Sequence, residues 1–492
     1  MVLVVEIYTQ KRLAWGGFIL LFICNRLYLY KDLNFNLNME KEKEFKLSRR
    51  DFLKTSAIGA IGTLGTFSMP AWISGCTSSE DKAPLREVSV PEILASAPDG
   101  QPLKAGLVGC GGRGTGAACN FLDAGPNLQI TALGDVFEDK LAACRQTLAD
   151  RGQEIPDDKC FVGFDAYKKV IDSGVDVVLL CTPPVFRPDH FDYAIEQGKH
   201  CFIEKPCAVD PVGAKKILVT AKKAEQKGLS VISGTIRRSQ KDCIETYRRV
   251  AEGAIGEIVS AHVTRLGGAL WYVTRRPEWN DMEYMLRNWV NFCWTSGDLV
   301  VEQFIHEIDM MTWFLGDIVP VRAEATGGRQ RRVTGDMYDF FSIEYVYENG
   351  MRAHCTSRQI NGCDTTHNVM VYGTKGYTNC FDTIYNLDGS VAWKYPHPAA
   401  EDADQSMAVP DPYVQELIRL VTAIRTNTPV NDAEQHVRST LMAMMGRQSA
   451  YTGKFVTWDE IMASETKLGP DTYEFGPVPN IPETPPVAGT PA

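Results

Sequence analysis

The 14 cysteines include no C-x-x-C pair and no zinc-ligand spacing, so neither a dithiol motif nor a structural zinc site organises this chain. Cys181 and Cys201 lie in apolar runs and read as small buried hydrophobes. Basic charge is also short: 51 Lys and Arg against 61 Asp and Glu leave a net charge of −10, which excludes the basic footprint of a nucleic-acid binder. There is no internal repeat. Long apolar runs are missing too, since Leu13 to Cys24 falls short of the ~20 residues that a bilayer-spanning helix needs. What remains is ordinary: 492 residues, 44% hydrophobic and 23% charged, enough for two globular domains with appendages.

Against that background one stretch stands out. The run Leu103 to Val108 ends in Gly109, Gly111 and Gly114, spaced G-x-G-x-x-G around Gly112 and Arg113, and a helix-like segment follows. This pattern predicts a strand, a tight turn and a helix whose free N–H groups face a pyrophosphate. Asp135 follows Gly114 by 21 positions, after the apolar run Leu128 to Leu133, where a dinucleotide fold places the carboxylate for a ribose 2′-hydroxyl. Such a carboxylate repels a 2′-phosphate and no arginine directly follows it, so NAD is favoured over NADP.

Helices and strands then keep alternating. The continuous apolar run Val175 to Cys181 predicts a parallel strand covered on both faces, stopped by Thr182 and Pro183. His200 to Ile203 predicts the next strand and ends in Glu204-Lys205-Pro206. From Arg237 and Arg238 onward the runs Ile258–Arg265, Val321–Ala325, Phe340–Tyr347, Met351–Ser357 and Asn368–Tyr372 read as strands of a second domain. Between them, Ser296 to Gly316 reads as one apolar helix on which Glu302, His306 and Asp309, at i, i+4 and i+7, form a polar stripe. On its own, such a histidine is more often a satisfied core residue than a catalytic one. Leading into it, Leu270 to Trp294 interleaves Trp271, Tyr272, Trp279, Tyr284, Trp289 and Trp294 with arginines, as a carbohydrate pocket would. Tyr413–Asn427 and Ala433–Thr452 read as helices, and the proline-rich tail from Gly469 as an extended arm or a disordered segment.

The front end reads as an address. Arg49-Arg50 with Phe52, Leu53 and Lys54 precedes a mildly apolar stretch from Ala57 to Ile73, and resembles a twin-arginine export signal. Ile73-Ser74-Gly75-Cys76 resembles a lipobox with Cys76 as the lipidated residue. Residues 1–38 do not fit this scheme, and Met39 would give the signal a conventional start. The division expected is therefore 1–38 extra, 39–76 signal, 77–101 tether, 102–236 dinucleotide domain, 237–460 substrate domain and 461–492 tail.

The glycine triplet, Asp135, Thr182-Pro183 and especially Glu204-Lys205-Pro206 together resemble the Gfo/Idh/MocA oxidoreductases, over roughly Pro102 to Lys454. The resemblance implies a Rossmann-type doubly wound parallel sheet plus a second α+β domain with an open, mostly antiparallel sheet. It implies a cofactor site of Gly109, Gly111, Gly112, Arg113, Gly114, Asp135, Thr182, Pro183, Glu204 and Lys205. Lys205 would stand between nicotinamide and substrate hydroxyl, with His306 as general base and Glu302 and Asp309 orienting it or binding hydroxyls. Arg237, Arg238, Trp271 and Tyr272 would face the substrate, with no metal. The activity implied is NAD(P)-dependent oxidation or reduction at a sugar hydroxyl by a homo-oligomer touching the membrane only through its lipid, in the periplasm or cell envelope. Export would leave little free cofactor outside, so the dinucleotide should be tightly held. Two alternatives stand beside this: redox-neutral NAD-dependent glycoside cleavage through a keto intermediate, and a non-catalytic sugar or nucleotide sensor.

Overall fold

The structure, a computed structural model, describes residues 90–397, 411–479, 481–482 and 484–489, together with three short strands near the amino terminus. Residues 1–81 and 82–492 are separate compact units. In the first, β1 (Ala14–Trp15), β2 (Phe18–Ile23) and β3 (Arg26–Lys31) form an antiparallel sheet. The arginine pair at 49–50 and Cys76 lie outside the described residues.

In the second unit, β4 (Leu103–Val108), β5 (Leu128–Asp135), β6 (Cys160–Val162), β7 (Val177–Leu180), β8 (His200–Ile203) and β9 (Val231–Ser233) form a six-stranded parallel sheet in the order β6-β5-β4-β7-β8-β9. Every residue of β7 is buried, because helices cover both faces. Those helices are α1 (Gly112–Asp123), α2 (Glu138–Ala149), α3 (Ala166–Asp172), α4 (Arg187–Glu196) and α5 (Pro211–Gln226). Chain direction across the sheet reverses between β4 and β7, so their following loops diverge and open a crevice at the strands' carboxyl ends. Gly109 and Thr182 sit there.

The helix α6 (Lys241–Ala251) leads to the second sheet. It has nine strands in the order β17-β16-β15-β14-β10-β13-β12-β11-β18, all pairs antiparallel except β10 with β13. These are β10 (Ile258–Gly267), β11 (Arg322–Gly328), β12 (Phe340–Val346), β13 (Arg352–Gln359), β14 (Thr366–Gly373), β15 (Gly376–Thr378), β16 (Thr383–Asn386), β17 (Val391–Lys394) and β18 (Val456–Thr457). The strands expected from alternation are all present; β15 to β18 are too short to show a period.

The helix expected across Ser296–Gly316 is not continuous. After α7 (Asp281–Arg287) come α8 (Cys293–Ser296), α9 (Leu299–Glu302) and α10 (Ile305–Phe314). Gly297 and Asp298 both have positive φ, which ends the first piece. The carbonyl of Leu299 then accepts from both Gln303 N and Phe304 N, at 3.0 Å each, so one residue too many is inserted before α10 begins.

Two helices follow the sheet. In α11 (Pro412–Arg425), Leu417, Leu420 and Val421 are buried in the same core as Leu107 and Phe121, so this helix packs back on the first domain and completes its core. The helix α12 (Ala433–Thr452) packs against β11 and α5. A short helix, α13 (Trp458–Ala463), ends the domain. The last part of the expected tether is likewise packed: Ala97 is buried and its amide donates to Ala124 O at 2.8 Å.

Candidate active site

The loop after β4 is built for close approach. Gly109 has φ +96, and a Cβ there would lie 2.7 Å from the Cys181 and Thr182 backbone. A Cβ on Gly114 would lie 1.8 Å from Gly109 O, so α1 rests on the loop. At Gly111 and Gly112 an added Cβ would meet nothing within 4 Å; that open cradle lies at the amino end of α1, where a pyrophosphate binds. Asp135 is held at the rim by the amides of Cys110 (2.6 Å) and Phe137 (2.9 Å). Burial raises its pKa and those two donors pull it back.

This cradle forms one wall of a cavity of about 960 Å³ that also exposes Thr182, Pro183 and Arg113. Trp271, Arg276, Trp279, Arg287 and Trp289 from the aromatic segment line the same cavity. Those aromatics therefore line the dinucleotide cavity, where a sugar pocket was expected; Tyr272 is exposed and lies outside that lining. Arg287 clasps the walls together, bonding Asp139 at 3.1 and 3.2 Å and stacking 4.0 Å from the Phe137 ring. Arg113 is committed to the protein: it pairs with buried Glu204 and stacks on Tyr413. His190, in the cavity lining, stacks on Tyr167 at 4.0 Å, and burial pushes its pKa down to about 3, so it stays neutral.

The tail is an ordered arm that braces this cavity. Tyr473 packs 4.8 Å from Phe186, and Phe475 packs 5.2 Å from Phe164 and 6.1 Å from Phe137; all three partners line the cavity. Met282 N donates to Gly476 O at 3.1 Å, tying the arm to α7. Aromatic pairs contribute about 0.5–1.5 kcal/mol each. A chain ending at residue 467 is therefore expected to bind NAD about tenfold or more weakly, as calorimetric titration would measure.

Behind Glu204 lies the charged cluster. The Lys205–Pro206 peptide is cis, and Lys205 Nζ donates to the Glu302 backbone carbonyl (2.6 Å) and to Glu302 Oε1 (2.8 Å). The break after α9 frees that carbonyl, and Lys205 satisfies it. Burial pushes the Glu302 carboxyl up, but the charge of Lys205 and the bonds from Lys205 and Gln303 outweigh it and hold it below 4.5. His306, in the first turn of α10, is half-buried, and among the described residues its ring has no hydrogen-bond partner. Burial, then the charges of Lys205, Arg265, Arg237 and His367, hold its pKa well below 6.5.

Asp309 and Arg238 are not with them. Asp309 is buried, bonds Arg238 Nε and Nη2 at 3.0 Å, and accepts from Ser439 at 2.7 Å; Arg238 also reaches Asp317. The helix break lies between Glu302 and His306, and Asp309, on the same piece as His306, is taken up by Arg238 and Ser439 in a structural ion pair. Arg237 bonds Gln240 at 2.5 Å and stacks 5.0 Å from Phe381. Sequence reading missed Arg265, Gln303, Glu307 and His367. Buried Glu307 accepts from Arg265 (2.7 Å) and pairs with His367 Nε2 (2.6 Å), and Arg265 also reaches Gln303 at 3.3 Å. An unbroken helical period puts Glu307 off the polar face, so the pattern gave no signal for it. Among the described residues no group of three His, Cys, Asp or Glu side chains is arranged to hold a metal ion.

Two family models match this chain. One, described as an oxidoreductase family with an NAD-binding Rossmann fold, matches residues 103–233; the other, the GFO/IDH/MocA C-terminal domain, matches 244–379. Together they cover more than half of the chain. It belongs to the Gfo/Idh/MocA oxidoreductase family. A glycosyl hydrolase family 109 protein of Shewanella pealeana is 24% identical over 250 residues, 49% of this chain and 52% of that protein. An inositol 2-dehydrogenase of Rhizobium meliloti is 24% identical over 277 residues, 56% of this chain and 74% of that one. The chain thus spans about half the length of the first relative. Among solved structures, scyllo-inositol dehydrogenase from Lactobacillus casei with NAD(H) and scyllo-inositol has a TM-score of 0.54 at 20% identity, covering 72% of this chain and 99% of that one. Aldose-aldose oxidoreductase from Caulobacter crescentus reaches 0.56 at 19% identity, with the same coverage. At those identities the likeness is one of fold.

Proposed function

We propose that this protein is an NAD(H)-dependent oxidoreductase that works at a hydroxyl-bearing carbon of a sugar or sugar derivative. The observation that carries the reading is the Lys205–Glu302 pair beside unpartnered His306, joined to the dinucleotide cavity through Glu204. The open cradle at Gly111 and Gly112, with Asp135 at its rim, fits NAD. When bound, that group supplies the hydride acceptor.

The chain's own residues do the rest. An ammonium has three donors, and Lys205 spends two on Glu302, so the third is available to the reacting oxygen. Neutral His306 takes the hydroxyl proton as hydride leaves the same carbon. Glu302 fixes where the lysine points. Arg237 stands beside the cluster as a donor to substrate oxygens. Denaturing the purified protein and identifying the released nucleotide tests the cofactor half: stoichiometric NAD(H) is expected, and a protein that neither releases nor binds NAD(P) is not this enzyme.

The similarity to a glycosyl hydrolase family 109 protein supports a second reading, redox-neutral cleavage of a glycoside through a transient ketone. Oxidation acidifies the adjacent C–H, so cleavage in deuterated water is expected to place deuterium on that carbon. Product free of deuterium would leave simple dehydrogenation. We also propose that Arg49-Arg50 directs folded export and that Cys76 carries the lipid anchor of a homo-oligomeric cell-envelope enzyme. Mass analysis of the mature amino terminus tests the anchor.

A further inference from the structure

The mechanism above uses one histidine, but the cluster contains two. Arg265 on β10 and His367 on β14 are directly paired in the antiparallel register, so their side chains share one face of the sheet. Both reach the same oxygen, Glu307 Oε1, at 2.7 and 2.6 Å. Glu307 follows His306 in α10 and is buried, whereas the His367 side chain is 39% exposed. An exposed imidazole held by a buried carboxylate is the arrangement that fixes a ring's tautomer and orientation for proton transfer. Nε2 of the ring lies 2.6 Å from the Glu307 carboxylate, so Nδ1 is the ring nitrogen left to take a substrate proton. Glu307 directly follows His306 in α10, so the Arg265–Glu307–His367 group adjoins His306 along the chain, and the charge of His367 is among those that lower the His306 pKa. His306 itself has no such orienting partner among the described residues.

We infer that His367 is a second acid–base catalyst of this site, oriented by Glu307, and that it moves a proton at the carbon next to the one His306 serves. The inference rests on the oxidoreductase reading, because the acidity of that C–H comes from the neighbouring carbonyl. Once the carbonyl is formed, the C–H bond breaks and its proton passes to Nδ1 of His367. The electron pair enters the C–C bond as the enolate. In the simplest case a proton from solvent returns by the same path. Where the next carbon carries an alkoxy group, the pair expels it with its bonding electrons, leaving an unsaturated ketone, and the departing oxygen takes up a proton. Arg265 bonds the same Glu307 oxygen, so the carboxylate that anchors the ring is itself held in place. Glu307 is thus a positioning residue and His367 the group that meets substrate.

The test follows two signals in one reaction: reduction of bound nicotinamide and deuterium uptake at the adjacent carbon, with the purified holoenzyme and a panel of glycosides and inositols in deuterated water. In His367→Asn the ratio of exchange to reduction is expected to fall by about 10²-fold. Glu307→Gln is expected to lower the same ratio and to shift its pH profile, which a purely structural role would not do. Reduction in the wild-type protein without exchange, or exchange that keeps pace with reduction in His367→Asn, overturns the inference and leaves the oxidoreductase reading standing. No reduction by any member of the panel overturns both.

Discussion

Replacing His306 with asparagine is expected to lower turnover by about 10²–10⁴-fold, the usual contribution of a positioned general base, while NAD still binds. The imidazole has no structural duty to lose, since among the described residues nothing is hydrogen-bonded to it. Its environment also fixes a pH signature. Burial, then the cations around it, hold its pKa well below 6.5, so the neutral, proton-accepting form persists where an ordinary histidine would already be charged. The acid limb of kcat/KM is therefore expected below pH 6.5, and absent from the residual activity of His306→Asn. Folding stability follows the same sign: below about pH 6.5 the unfolded imidazole binds a proton that the fold refuses, so stability falls as pH drops. An acid limb at or above pH 6.5 that survives the substitution would assign the base to another group.

Lys205→Met is expected to abolish turnover and also to cost about 3–5 kcal/mol of stability, because it leaves Glu302 buried without its cation. In the wild-type protein the Glu302 pKa is depressed, so its contribution is present above pH 4.5 and is lost as pH falls through the lower folded value. Without Lys205, burial is expected to carry the carboxyl upward, and the variant then loses stability as pH rises instead. Denaturant midpoints across a pH series read both signs. The double variant Lys205→Met with Glu302→Gln is expected to recover stability without recovering turnover. Loss of less than about 1 kcal/mol with parallel pH curves would mean that this pair is not the buried anchor described here.

The parallel sheet was legible because covering both faces of a strand leaves a continuous apolar signature, as in Val177–Leu180, and because Gly109 and Gly114 are required by close approach. Alternation exposed β10 to β14 in the same way. The helix carrying His306 was legible as buried but not as broken. Apolar periodicity reports which face is covered, and it survives the inserted residue at Phe304 that separates Glu302 from the helix piece carrying His306 and Asp309. Partner choice was the least legible. Arg238 with Asp309, Lys205 with Glu302, and His367 with Glu307 are joined across 71, 97 and 60 positions by packing alone. The aromatic segment was recognisable as a pocket wall, but Trp271, Trp279 and Trp289 belong to the cavity over the glycine cradle. The arm was obscured by its prolines, which predict extension and say nothing of the phenylalanines it meets.

The most direct test of the account is the absorbance of the nicotinamide in purified protein, saturated with NAD and mixed with a panel of sugars and inositols. The account predicts reduction of one equivalent per chain by at least one compound in the wild-type protein. It predicts none in Lys205→Met or His306→Asn at matched NAD occupancy. Reduction that proceeds equally in all three would contradict the site assigned here, and a protein that binds NAD but is reduced by no compound would be a sensor built on the same fold.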